Sequence, residues 1–202
     1  MQAERDKWNQ DWKSGNCASF QHSRVSSFLK GIISEKASGR PHRFFGEAYV
    51  AAKWDHQEGW YCSYKWLTSR VWTDETNPKD KYRRMFKIAL RAQFPELRKL
   101  QERAITLAAQ LGEKPVPPDL WLIRNNEHWF IESKIPPDEI NDAQLAGLAL
   151  IATCLPSSKP VHVAVVYLQS EFASGHRIPK KIIQRFHQYC ERLETMSCGG
   201  SK

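Results

Sequence analysis

Two short hydrophobic runs with a polar turn between them stand out in the second half of the chain. The first run is Leu120–Ile123, the turn is Asn125–Glu127, and the second run is His128–Lys134. Runs rich in aromatic and β-branched residues around an asparagine pair predict a β-hairpin. Because side chains alternate along a strand, we expect Glu132 and Lys134 on one face.

After the hairpin, the spacing of apolar residues changes from that of a strand to that of a helix. Asn141–Cys154 carries apolar residues at helical spacing, which predicts a helix. Val161–Leu168 is a continuous apolar run, typical of a strand buried on both faces. A strand, a helix and a second strand in this order predict a right-handed parallel crossover.

Further elements are predicted on both sides of this segment, and together they indicate an α/β fold. They are a short helix at Val25–Ser34, a helix at Phe44–Trp54, a strand at Trp60–Leu67, a helical region at Lys81–Leu111 broken near Pro95, and a closing helix at Ile178–Met196. With 202 residues and 41% hydrophobic content, the chain has enough apolar residues for one sizeable core.

Composition excludes several classes of protein. No apolar stretch approaches the ~18 residues of a membrane span, and the first residues lack the apolar region of a signal peptide, so we expect a cytoplasmic protein without membrane contact. The chain has 5 cysteines and no Cys-x-x-Cys pair, which argues against zinc and iron–sulfur sites and favours free thiols.

The net charge of +8 is concentrated in two segments. Residues 79–103 carry nine Lys and Arg against three acidic residues, and residues 177–192 carry five against one. Basic helices of this kind attract phosphates and predict a nucleic-acid partner. The alternative is that they are solubilising helix faces.

Candidate chemistry lies at the ends of the predicted hairpin. Pro118-Asp119 precedes the first strand, and Glu132-Ser133-Lys134 follows after twelve intervening residues. Two carboxylates suit Mg²⁺ or Mn²⁺, and an amine beside them would orient a water molecule and offset phosphate charge. The alternative is an ordinary Glu–Lys pair on a solvated face of the hairpin.

From Pro118 to Leu168, about a quarter of the chain, this pattern resembles the VRR-NUC branch of the PD-(D/E)XK nuclease superfamily. The resemblance implies a restriction-endonuclease-like αβββαβ core with a mixed sheet flanked by helices, and metal-dependent cleavage of phosphodiester bonds. It implies that Asp119 and Glu132 are metal ligands, that Lys134 is the catalytic lysine, and that Gln144 is an accessory polar residue. The chain departs from the pattern at Ile135-Pro136-Pro137, where many members have a glycine-containing loop.

Gln144 has a second interpretation. Asn141 and Gln144 have the spacing of a helix capping box, with Asn141 as the N-cap and Gln144 three residues later. The sequence leaves open whether Gln144 caps the helix or faces a metal site.

The resemblance also implies a glutamate on an upstream helix, for which the chain offers Glu47 and Glu102. Glu47 shares a helical face with Phe44, Val50 and Ala51, where a carboxylate is out of place unless it has a function. Glu102 lies off the apolar stripe of its helix and is expected to be a solvated charge. We therefore favour Glu47 as the third catalytic carboxylate and metal ligand.

These observations predict a Mg²⁺-dependent endonuclease acting on DNA, with Mn²⁺ as a substitute and RNA as an alternative substrate. Alternatives are a sequence-specific restriction-type enzyme, a transposon end-cleaving subunit, and a catalytically silent nucleic-acid-binding or assembly subunit. A homodimer and a protein partner both remain open. The expected organisation is one nuclease domain over residues 1–202, comprising an N-terminal arm (1–41), the first helix and strand (42–75), a helical insertion (76–112), the catalytic half (113–169), and a C-terminal helix and tail (170–202).

Overall fold

The computed structural model describes residues 2–14, 33, 40, 43–62, 66–68, 81–156, 158–168 and 179–198. Within them the elements are α1 (Gln2–Ser14), α2 (Phe45–Lys53), β1 (Glu58–Tyr61), α3 (Lys81–Gln93), α4 (Leu97–Gln110), β2 (Leu120–Arg124), β3 (Glu127–Lys134), α5 (Asp142–Cys154), β4 (Val161–Tyr167) and α6 (Lys180–Cys198). The prediction of a mixed α/β chain is confirmed.

The four strands form one mixed sheet in the order β1-β2-β3-β4. β1 pairs with β2 and β2 with β3 in antiparallel fashion, and β3 pairs with β4 in parallel. The predicted hairpin is confirmed, with Arg124 opposite Glu127. Asn125 and Asn126 both have positive φ, 50° and 63°, as a two-residue turn between twisted antiparallel strands requires.

The chain divides into two compact units. The first contains Met1–Tyr61, Asp119–Ile140 and Ser158–Pro179, and therefore holds the sheet, α1 and α2. The second contains Cys62–Pro118, Asn141–Ser157 and Lys180–Lys202, and therefore holds α3 to α6. The single nuclease domain proposed from the sequence stays a prediction.

In the first unit, α1 and α2 contribute to one hydrophobic core with the sheet. The buried members of this core are Trp12, Ile33, Phe45, Ala48, Val50, Ala51, Ala52, Leu120, Leu122, Ile131 and Leu168. α2 lies close to the end of β3, because a Cβ atom on Gly46 would be 3.3 Å from the Ser133 Oγ. This close approach brings the next residue, Glu47, near the end of the hairpin.

The N-terminal arm predicted for residues 1–41 contains a 13-residue helix that the sequence analysis missed. α1 is polar overall, but Trp12 is buried and its Nε1 donates a hydrogen bond to the Arg43 carbonyl at 2.7 Å. Lys53 of α2 pairs with Glu4 at 2.6 Å and lies 4.7 Å from the centre of the Trp8 ring. Two tryptophans four residues apart are too few to give a clear helical pattern, although they suffice to pack the helix. Of the predicted helix at Val25–Ser34, only Ile33 belongs to the described residues.

In the second unit, the predicted break near Pro95 separates α3 from α4, and the carbonyl of Leu90 accepts a hydrogen bond from Phe94 N at 2.7 Å. α5 and α6 pack against each other, as do α4 and α5. A Cβ atom on Gly147 would lie 1.8 Å from the Val116 carbonyl oxygen, so only glycine permits the contact between α5 and the segment before β2.

Two predicted strands differ from the structure in detail. The first strand ends at Tyr61 rather than Leu67, because Trp66 and Leu67 lie in a turn. β4 is half-buried along its whole length rather than buried on both faces, because it is an edge strand among the described strands. None of the described helices is long and apolar enough to cross a membrane.

Candidate active site

Asp119 occupies a bend immediately before β2 and completes the hydrogen-bond ladder of the hairpin. The pairing of β2 with β3 ends at Leu120 and Ile131. Beyond that point Asp119 Oδ2 accepts hydrogen bonds from Ser133 N at 2.8 Å and from Ser133 Oγ at 3.0 Å. The carboxylate thus takes the place of a backbone carbonyl, and its orientation is set by two donors.

Glu132 and Lys134 lie on one face of β3, as predicted, and form a buried ion pair. The Lys134 Nζ is 2.9 Å from the Glu132 Oε1. The side chain of Glu132 is 3% exposed and that of Lys134 is 11% exposed. The alternative of a solvated surface pair is therefore wrong. Removing both charges from water carries a desolvation cost that a surface pair avoids. Stabilisation of the fold is therefore not a sufficient explanation for this ion pair.

Glu47 belongs to the same electrostatic cluster. Burial, with a smaller contribution from the negative charge of Asp119, raises the pKa of Glu47 to about 7, against the opposing effect of the Lys134 ammonium. Glu102, by contrast, is half exposed and forms an i,i+4 pair with Arg98 at 3.4 Å on its own helix. Glu47 is thus electrostatically coupled to Asp119 and Lys134, whereas Glu102 is an exposed charge paired on its own helix.

Burial is the main reason why the pKa values of the three carboxylates are high. Burial, together with the charges of Asp119 and Glu47, raises the pKa of Glu132 to about 8 against the opposing effect of Lys134. Burial also raises the pKa of Asp119, although the two hydrogen bonds from Ser133 oppose this. We refer to Glu47, Asp119, Glu132 and Lys134 as the carboxylate cluster. Fully ionised, its three carboxylates and one ammonium carry a formal charge of −2.

The charge and the oxygen donors of the cluster suit a divalent cation. In the described residues, however, no three or more His, Cys, Asp or Glu side chains are grouped around one point at which a metal ion could bind. Carboxylate oxygens are the donors that Mg²⁺ and Mn²⁺ prefer, and two positive charges would balance the formal −2. The residues therefore fit a hard divalent cation, provided that Glu132 can exchange its Lys134 partner for the metal.

Gln144 lies in the second compact unit and closes a capping box at the start of α5. Its backbone N–H donates to Asn141 Oδ1 at 3.0 Å, and its Oε1 accepts from Asn141 N at 3.2 Å. The capping-box interpretation is confirmed. A role for Gln144 beside a metal stays a prediction.

Sequence reasoning did not single out two residues that shape the carboxylate cluster. Ser133 was noted only as the residue between Glu132 and Lys134, yet its N–H and Oγ donate hydrogen bonds to Asp119. Gly46 permits the close approach of α2 to Ser133. The sequence carries a weak signal for each: Ser133 is the middle residue of Glu-x-Lys, and Gly46 directly precedes Glu47.

Comparisons of the chain with protein-family models, with curated proteins and with solved structures found no match.

Proposed function

We propose that this protein is a divalent-metal-dependent endonuclease that hydrolyses phosphodiester bonds in DNA. The observation that carries the proposal is the carboxylate cluster, in which the buried Glu132 is paired with Lys134 and the partly buried Asp119 and Glu47 are electrostatically coupled to that pair. Buried charges of one sign are costly, and they are retained chiefly where they perform chemistry.

The order of elements supports the same proposal. With α3 and α4 inserted between β1 and β2, the elements α2, β1, β2, β3, α5 and β4 occur in the order of the αβββαβ core that the PD-(D/E)XK resemblance implies. Asp119 stands at the start of β2, and Glu132 and Lys134 stand at the end of β3. A restriction-endonuclease-like core is therefore part of the proposal.

Each member of the cluster has a distinct role in this mechanism. Asp119, Glu132 and Glu47 would hold Mg²⁺ or Mn²⁺, which supplies Lewis acidity toward a phosphoryl oxygen when bound. Ser133 keeps the Asp119 carboxylate oriented through two hydrogen bonds. The Lys134 ammonium, held beside Glu132, orients the attacking water and offsets negative charge on the phosphate.

Exposed basic residues favour nucleic acid as the substrate. The cations that α3, α4 and α6 expose are Arg84, Arg91, Arg98, Lys99, Arg103, Lys180, Lys181 and Arg192. Positive surface charge of this kind binds the sugar–phosphate backbone without regard to sequence. DNA is the proposed substrate, and RNA is the alternative that the same contacts would accept.

Cleavage assays test the proposal directly. Purified protein is incubated with supercoiled plasmid, with a flapped oligonucleotide and with single-stranded RNA, each in Mg²⁺, Mn²⁺ and EDTA. We expect cutting that requires the metal and is lost in Lys134→Ala but kept in Lys114→Ala, a matched change at an exposed lysine outside the basic helices. A fixed banding pattern would identify a restriction-type enzyme. Metal-dependent cutting that survives Lys134→Ala would refute the assigned site.

A catalytically silent nucleic-acid-binding or assembly subunit is the second candidate. It is favoured by the absence, in the described part of the chain, of three acidic or other ligand side chains grouped around one point. Salt-sensitive DNA binding without cleavage in either metal, and no metal binding by calorimetry, would establish this candidate. Cutting that appears only after a second protein is added would instead indicate an end-cleaving subunit of the transposon type.

A further inference from the structure

We propose that the outer edge of β4 is an interface between two copies of this chain, which join their sheets by antiparallel pairing of β4 with β4. The inference concerns assembly and does not depend on the proposed nuclease activity. It rests on the direction of the backbone groups of β4, on its composition and on its symmetry.

The even-numbered residues of β4 direct their backbone groups toward β3. His128 N donates to the Pro160 carbonyl at 2.8 Å, and Leu168 N donates to the Lys134 carbonyl at 2.8 Å. Because backbone direction alternates along a strand, the N–H and C=O groups of the odd-numbered residues point away from β3. No described strand pairs with them, since β4 is the last strand in the order β1-β2-β3-β4.

The sequence of this strand lacks the charged residues, proline and glycine that keep many edge strands from pairing with another chain. Val161–Tyr167 reads Val-His-Val-Ala-Val-Val-Tyr, with no lysine, no acidic residue, no proline and no glycine. Natural edge strands are usually short, charged, bulged or interrupted by proline, because an open edge otherwise pairs with another chain. β4 has seven residues in regular register with β3, so it offers a straight row of donors and acceptors.

A second copy of β4 is a fitting partner because the strand is self-complementary. A two-fold axis through Ala164 pairs all seven residues, with Val163 opposite Val165 and Val161 opposite Tyr167. These four residues are the ones whose backbone groups point outward, so they form the hydrogen-bonded pairs of the new ladder. The same patch on both copies gives a closed dimer rather than a filament.

The dimer would have a continuous eight-stranded sheet, built from two sheets of four strands. Strand addition obtains its affinity from main-chain hydrogen bonds. The net charge of +8 per chain opposes association, so salt should strengthen the dimer by screening the repulsion. DNA binding has the opposite salt dependence, which separates the two effects.

The first test measures mass in solution. Wild-type protein, Val163→Pro and Val163→Ala are compared by sedimentation velocity across a dilution series at low and moderate salt. Proline at position 163 removes an outward N–H and leaves the donors to β3 in place, whereas alanine removes the same side chain and keeps the N–H. We expect dimers for the wild type and Val163→Ala, and a monomer with unchanged circular dichroism for Val163→Pro. A wild-type monomer at every concentration would overturn the proposal.

A second test remains informative if the proline variant does not fold. Across the proposed axis the Ala164 residues of two copies form a non-hydrogen-bonded pair, about 4.5 Å apart between Cα atoms and within reach of a disulfide. Ala164→Cys should therefore form a covalent dimer on mild oxidation, whereas Val166→Cys and the wild type should not. Equal cross-linking of Ala164→Cys and Val166→Cys would show that the copies do not meet in this register and would overturn the proposal.

Discussion

At the residue scale, the most informative side chain is Glu47, a carboxylate in the core-facing helix of the sheet unit. Its pKa is raised to about 7 by burial and by Asp119. Replacement of Glu47 by Gln should keep the shape of the side chain and remove its negative charge. We expect Glu47→Gln to reduce metal-dependent cleavage by about 10²-fold or more, the scale of losing an electrostatic contact at a reaction centre. Plasmid cleavage rates provide the measurement.

Glu102→Gln is the matched control for that change. Glu102 is half exposed and pairs only loosely with Arg98 at 3.4 Å, so its replacement should leave both cleavage and stability nearly unchanged. Loss of activity in Glu102→Gln, with activity retained in Glu47→Gln, would show that the helix carboxylate is wrongly assigned.

Tyr167 yields a stability prediction that is independent of catalysis. Its hydroxyl is buried without a hydrogen-bond partner among the described residues. A buried polar group without a partner costs about 1–3 kcal/mol, so removing it should stabilise the fold. We expect Tyr167→Phe to raise the free energy of unfolding by about 1 kcal/mol, as measured by denaturant titration. A destabilised variant would show that the hydroxyl has a partner in solution.

At the element scale, the capping box at the start of α5 allows two roles of Gln144 to be tested separately. One role is to cap the helix, and the other is to assist at a metal site. Asn141→Ala and Gln144→Ala each remove one of the two reciprocal hydrogen bonds at the start of the helix. We expect Asn141→Ala to cost about 1 kcal/mol of unfolding free energy and Gln144→Ala to cost less, both measured by thermal denaturation.

Activity then distinguishes capping from an accessory catalytic role for Gln144. If Gln144 also assists at a metal site, cleavage will fall in Gln144→Ala more than in Asn141→Ala at equal folded fraction. Equal activity of the two variants would assign Gln144 to the helix terminus alone.

The elements that were predicted well are those whose pattern is local. The hairpin was predicted from two adjacent asparagines between apolar runs, and both asparagines adopt the positive φ that the turn requires. α1 was missed because the partners of Trp8 and Trp12 lie far along the chain, on Tyr49 and the Arg43 carbonyl. Contacts between segments that are distant along the chain need not produce a periodic pattern of hydrophobic residues in either segment.

At the scale of the whole molecule, we expect the carboxylate cluster to make stability depend on pH and, under the proposed function, on divalent cations. Glu47 and Glu132 have pKa values raised to about 7 and about 8, above their ordinary value of 4.5. The folded state therefore binds more protons than the unfolded chain at neutral pH, and stability falls as pH rises through this window. The slope approaches about 1.4 kcal/mol per pH unit for each such group.

Measurement above pH 7.5 isolates this effect from that of a buried histidine. Burial lowers the pKa of His128 to about 4 from its ordinary 6.5, so protonation of the unfolded chain at this residue destabilises the fold as pH falls, an effect that fades about one pH unit above 6.5. We expect the free energy of unfolding to decrease between pH 7.5 and pH 8.5 in EDTA. The decrease should be smaller in Glu132→Gln, which lacks one of the titrating groups.

Divalent cations should restore the stability that the protein loses as pH rises. Mg²⁺ or Mn²⁺ that binds the ionised carboxylates stabilises the folded state, and protons compete with it at lower pH. We expect the melting temperature to rise on adding Mn²⁺ at pH 8 and to change little at pH 5, as followed by calorimetry. A cation effect of the same size at both pH values would place the binding site elsewhere.

The sequence by itself determined the α/β class, the hairpin and the helix after it, and it singled out Asp119, Glu132 and Lys134, because each leaves a local mark of period, turn or unusual charge. For the helix carboxylate it favoured Glu47 but left Glu102 as an alternative. Tertiary structure alone decided that Glu132 pairs with Lys134 away from solvent, that Ser133 orients Asp119, and that β4 is the last of the described strands in the sheet. Those properties depend on which segments meet, and segments distant along the chain meet only through packing. The physical reason is that burial and electrostatic coupling are set by neighbours in space rather than by neighbours in sequence.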